Sequence, residues 1–144
     1  MKIVTSYFYM IRHFTPNMIP VSTAISDPLW YRPPQDKEYY IDKRGIVCGL
    51  RYKPLIVQLQ GTHSCPCEDK KILKGNCPCM QEYFQLLNSL VDKERTLKAF
   101  EHCLKKFNAD TIVLIVYETP TNPCSERYAL QKFFNCEEWN PKEN

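Results

Sequence analysis

A chain of 144 residues and 17.0 kDa has the length of one domain, and 44% hydrophobic with 24% charged residues excludes a disordered polymer. Nineteen basic and sixteen acidic side chains leave a net charge of only +3, a balance that disfavours nucleic acid as a partner. The longest apolar run, Ile112 to Tyr117, has the length of a strand and is far short of a membrane span. The run after Lys2 is broken by Thr5, Ser6 and Arg12, against a secretory signal, so a cytoplasmic, reducing setting without membrane association is expected.

In chain order, Lys2 to Met10 is rich in β-branched and aromatic residues and reads as a strand. Met18 to Ile25 reads as a second strand, with Pro20 placing it at a sheet edge or near a strand start. Leu29 to Lys43 carries Trp30, Tyr31 and Tyr39-Tyr40 among prolines and reads as a long loop with aromatic anchors. Gly45 to Leu59 fits a strand or a short helix opened by Pro54 equally well. Residues 61–79 form a polar, cysteine-rich insert.

Tyr83, Phe84, Leu87 and Leu90 recur at helical spacing over Met80 to Leu90. A second helix follows, capped by Asp92 and stopped at Asn108, with Leu97, Phe100, Cys103, Leu104 and Phe107 on one face. Thr111 to Tyr117 lacks alternation, the pattern of a central strand buried on both faces. Asn122-Pro123 predicts the cap and first residue of a last helix running to Asn135, with Ala129, Phe133 and Cys136 on one side. The charged tail beyond Glu137 is expected to fray. The sum is a single α/β domain over residues 1–144, its mostly parallel sheet flanked by helices.

Three groups of residues could carry chemistry. Glu118, Cys124 and Arg127 follow the central strand, where open parallel sheets bind ligands. There Glu118 would be a base, a nucleophile or a holder of a sugar hydroxyl. Cys124 would sit in the first turn of the last helix, and Arg127 would take a phosphate. Cys65-Pro66-Cys67 and Cys77-Pro78-Cys79 supply four thiolates for one structural zinc, with His63 as a reserve ligand, and disulfides or an iron–sulfur cluster are the competing readings. The hydroxyls of Thr5, Ser6, Ser22 and Thr23 would approach the same crevice as Glu118, and Trp30 could stack on a planar ligand. The lone His13 and His102 read as structural or exposed, and Cys48, Cys103 and Cys136 as reduced, buried packing residues.

Lys2-Ile3-Val4-Thr5-Ser6-Tyr7-Phe8, Ile19-Pro20-Val21-Ser22-Thr23-Ala24 with Pro28-Leu29-Trp30-Tyr31, and Val113 to Glu118 through Cys124-Ser125-Glu126-Arg127 together resemble the domain-of-unknown-function 488 family, small α/β proteins of bacteria and their phages. The likeness covers about the first thirty and last thirty-five residues. Where the family has Cys-His-Arg, this chain has Ser125 and Glu126 between Cys124 and Arg127. The resemblance implies the fold and the place of the site, but no reaction. The functional expectation is a nucleotide-like small molecule bound or processed at the carboxyl edge of the sheet. Two other classes compete: a non-enzymatic binder that sequesters a ligand or inhibits a protein partner, and a zinc-stabilised nucleic-acid-binding protein using Lys70, Lys71 and Lys74.

Overall fold

The computed structural model describes residues 1–56, 77–121 and 125–141. Four strands, β1 (Lys2–Tyr7), β2 (Met18–Ser22), β5 (Thr111–Val116) and β6 (Glu137–Glu138), form one parallel sheet in the order β2-β5-β1-β6. A short antiparallel pair, β3 (Tyr40–Ile41) and β4 (Val47–Cys48), stands apart from it. Helices α1 (Pro78–Leu90), α2 (Lys93–Phe107) and α3 (Arg127–Phe134) complete the α/β domain.

β5 is buried along its whole length and lies between β2 and β1. Ile112, Leu114 and Val116 pack into the helix-covered core with Tyr83, Leu87, Phe100, Leu104 and Leu130. Val113 and Ile115 face the opposite core, with Phe8, Ile11, Phe14, Tyr31 and Trp139. A strand with no polar face therefore needs a layer on each side. The helices supply one. The other is built from the 3-10 helices Phe8–His13 and Leu29–Tyr31 and the β3–β4 pair.

Pro20 sits within β2, which is an edge strand and tolerates a missing N–H. Residues 50–52 cover that edge in part: Ser22 N–H donates to Leu50 O at 2.9 Å and Tyr52 N–H to Ser22 O at 3.2 Å. Asp92 caps α2 by accepting from Arg95 N–H at 3.1 Å, and Asn108 ends it in the left-handed conformation, φ 52°.

Several expectations are corrected. The first strand stops at Tyr7 because Phe8–His13 turns into a 3-10 helix that buries Phe8 and Ile11. The last helix starts later than expected, with α3 beginning at Arg127 and Glu126 before it; Asn122, the expected cap, lies outside the described residues. Cys124, expected in the first turn, also lies outside the described residues. The tail does not fray at Glu137, since Glu137 and Glu138 pair with Val4 and Thr5 and Trp139 N–H donates to Thr5 O at 2.8 Å. Leu90 is exposed, at the very end of its helix. His13 and His102 are exposed, Cys48 is buried, and Cys103 and Cys136 are half-buried.

Candidate functional site

The carboxyl edge separates the expected site residues onto the two faces of the sheet. Alternation along β1 sends Thr5 and Tyr7 toward α3 and Ser6 the other way, level with Ile115 and Ser22.

On the helix face, Thr5 Oγ1 donates to Glu138 Oε1 at 2.7 Å and accepts from Gln131 Nε2 at 2.8 Å. Arg127 is wholly buried. Its Nη2 donates to the Glu118 carbonyl at 2.5 Å, its Nε lies 3.3 Å from Glu138 Oε1, and its guanidinium stands over the Tyr7 ring at 5.4 Å. Arg127 thus ties the end of β5 to β6 and β1, and among the described residues its guanidinium is enclosed beside Glu138. Burial holds Glu138 above the ordinary carboxylate range, opposed by the Thr5 hydrogen bond and Arg127. Burial, and then the charge of Glu118, pushes Glu126 up to about 8.

On the other face, Ser22 Oγ donates to Asp27 Oδ1 at 2.5 Å, and buried Asp27 pairs with Arg51 Nη1 at 2.7 Å. Thr23 Oγ1 donates to Ile115 O at 3.0 Å. The strand-end hydroxyls therefore do not converge on one crevice with Glu118; Thr5, Ser22 and Thr23 are each bonded inside the fold. Among the described residues, the buried polar atoms without a hydrogen-bond partner are Ser6 Oγ, Glu118 Oε2, Arg127 Nε and Arg127 Nη1, all at this edge. Unmet polar groups concentrated at one place mark it as exceptional, because buried polar groups are nearly always bonded.

Trp30 opens a different part of the edge. It lines a cleft of about 550 Å³ between the 3-10 helix Phe8–His13, the 3-10 helix Leu29–Tyr31 and the β3–β4 pair, with Tyr9, Arg12, Tyr40 and Arg44 among its walls. Phe8 follows β1 directly, so the cleft starts where that strand ends. Trp30 and Tyr9 are more than half exposed, whereas Tyr31 is fully buried and donates to Leu50 O at 2.7 Å. Arg12 lies 3.9 Å over the Tyr9 ring. Arg44 is anchored by donating to the carbonyls of Arg12 and Ile11. Asp42, the carboxylate in the lining, is occupied: it accepts from the N–H groups of Arg44 and Ile46 at 2.8 and 2.9 Å and pairs with Arg44 at 3.4 Å. Tyr40 donates to Trp30 O, joining two walls. Burial pushes Tyr40 up to about 12 and Cys48 up to about 11, so both are neutral at physiological pH.

Sequence reasoning found Trp30, named Tyr40 only as an anchor of the same loop, and missed Tyr9, Arg12 and Arg44. The run Tyr7-Phe8-Tyr9 followed by Arg12 was the available signal, absorbed into a strand that in fact ends at Tyr7. Gln131 and Glu138 were missed because their partners are more than a hundred residues away.

Cys77 and Cys79 are buried at the start of α1, so the insert ends in a helix. His63, Cys65 and Cys67 lie outside the described residues, and among the described residues no three His, Cys, Asp or Glu side chains gather as metal ligands. No described helix is long and apolar enough to cross a membrane.

The fold defines an α/β protein with a four-stranded parallel sheet and helices on one face. No family model, curated protein or solved structure matches the chain.

Proposed function

We propose that this protein binds a nucleotide-like ligand at the carboxyl edge of its sheet, in the cleft beside Trp30. One observation carries the reading: exposed Trp30 and Tyr9 rings share a cleft of about 550 Å³ with two arginines, Arg12 and Arg44. Its volume lies within the range of small-ligand sites. The rings suit a base, and the guanidinium groups suit a phosphate. In this cleft Arg12, which no carboxylate pairs among the described residues, meets the phosphate, and Arg44, held by Asp42, lines the wall beside it. Glu118 belongs to the helix face, which supports binding over turnover in the cleft. The family resemblance and a cytoplasmic setting are part of the same proposal.

Two tryptophans are present, and Trp139 is buried against Phe14 at 5.0 Å between ring centroids. In a Trp139→Phe background the emission of Trp30 should be quenched saturably by adenosine or guanosine monophosphate. Trp30→Ala and Arg12→Ala should each weaken binding, measured by calorimetry, by about 1–3 kcal/mol. Absence of quenching, or unchanged affinity in both variants, refutes the reading.

The four thiolates of Cys65, Cys67, Cys77 and Cys79 suit a closed structural zinc, and the burial of Cys77 and Cys79 at a helix start is compatible with one. Elemental analysis of reduced protein should find about one zinc per chain and lose it in Cys77→Ser; metal-free protein would refute this part.

A further inference from the structure

Resting on the cleft reading, we infer that the nucleotide recognised beside Trp30 is part of a single-stranded nucleic acid, held on a platform of exposed rings with arginines along it. A free mononucleotide requires one stacking surface, and this edge offers three on separate segments. Tyr9 belongs to the 3-10 helix after β1, Trp30 to the 3-10 helix after β2, and Tyr117 follows β5. They are 57%, 53% and 63% exposed, unusual for large aromatic side chains in a chain that buries Tyr31 and Tyr83 completely or nearly so.

The rings are not loose. Buried Phe8 meets Trp30 at 6.3 Å and Tyr117 at 6.0 Å, both edge-to-face, and meets Tyr31 at 5.2 Å. Phe8 thus fixes two of the exposed rings from beneath while leaving much of their surface to solvent. Pre-oriented aromatic surfaces are what sequence-tolerant stacking of successive bases requires.

Charge agrees with this occupant. Residues 1–56 contain eight basic and four acidic side chains, whereas the remaining 88 contain eleven and twelve. The modest net charge of the chain therefore conceals a positive half, which is the half that builds the cleft. Within it Asp42 is consumed by Arg44 and the turn it caps, and Asp27 by Ser22 and Arg51. Among the described residues no carboxylate pairs with Arg12, which keeps its charge over the Tyr9 ring for a phosphate. A protein surface seeking a hydrophobic partner has no need of this arrangement, and a second copy of the chain would bring the same positive half against itself.

The test compares fluorescein-labelled short oligothymidylate, thymidine monophosphate and a duplex of the same length, by anisotropy and by competition, over a series of salt concentrations. The oligonucleotide should bind at least roughly tenfold more tightly than the monophosphate, and its affinity should fall as salt rises. Trp30→Ala and Tyr117→Ala should each weaken the oligonucleotide roughly tenfold. Both side chains are largely exposed, so circular dichroism should be unchanged. Tyr117 is outside the cleft lining, so Tyr117→Ala should leave the monophosphate affinity alone, separating the strand from the single nucleotide. Monophosphate binding with no gain for the oligonucleotide overturns the strand and leaves the cleft reading standing. Failure of both thymidine ligands, with no quenching of Trp30 by adenosine or guanosine monophosphate, overturns both. Duplex binding as tight as single strand refutes stacking, and self-association abolished by Trp30→Ala without oligonucleotide binding reassigns the platform to a second copy.

Discussion

Replacing Glu126 by glutamine should stabilise the protein by an amount that grows with pH. Burial, reinforced by the charge of Glu118, raises this carboxyl from 4.5 to about 8. Between those values the folded chain keeps a proton that the unfolded chain releases, so Glu126 lowers stability progressively as pH rises from about 4.5 to 8. Below that window both states are protonated and the penalty vanishes; above it the penalty is complete. At about 1.4 kcal/mol for each pH unit crossed, the cost at pH 7 is of order 3 kcal/mol, with a ceiling near 5 kcal/mol above pH 8. Glutamine has the shape of the protonated acid and carries no charge to desolvate. Urea unfolding of wild type and Glu126→Gln at about pH 5, 7 and 9 should show curves that nearly coincide in acid and separate steadily toward alkali. Glu118→Gln should narrow the separation by bringing Glu126 down. A difference that stays constant over pH, or a variant weaker than wild type at alkaline pH, would refute the reasoning.

Other consequences are independent of Glu126. Arg127→Met should cost about 3–5 kcal/mol in chemical denaturation, because it removes a fully buried cation from Glu138 and from the Glu118 carbonyl. Arg127→Lys should recover only part of that loss, since a point charge cannot reach both partners at once; full recovery would refute the clamp. Gly49→Ala should lower the thermal midpoint, with a cost of about 1–3 kcal/mol. Gly49 has φ +100°, and an added Cβ would lie 3.0 Å from Pro33 Cδ. An alanine variant as stable as wild type would show that this turn can relax.

The carboxyl-edge hydroxyls illustrate why a topological address does not define a site. Thr5, Ser6, Ser22 and Thr23 were all expected at one crevice, and all four do lie near the carboxyl ends of β1 and β2. Alternation along β1 then assigns Thr5 to α3 and Ser6 to the opposite layer, and local partners such as Asp27 and the Ile115 carbonyl satisfy most of the rest.

What the sequence determined by itself was local or periodic. The apolar run at Thr111–Val116 required a strand covered on both faces, the spacing of Phe100 and Leu104 required an amphipathic helix, and Asp92 and Asn108 set its ends. Those signals act within a few residues and need no partner. The tertiary structure alone decided where Arg127 is neutralised, why the tail is held, and which aromatic residues stay exposed. Glu138 meets Thr5 only when β6 pairs with β1, 133 residues apart in the chain. Trp30 and Tyr31 are neighbours of similar chemistry, yet one is exposed and the other wholly buried. The physical reason is direction: a 3-10 turn sends adjacent side chains to different sides, and only the packed layer beneath it determines which of them meets water.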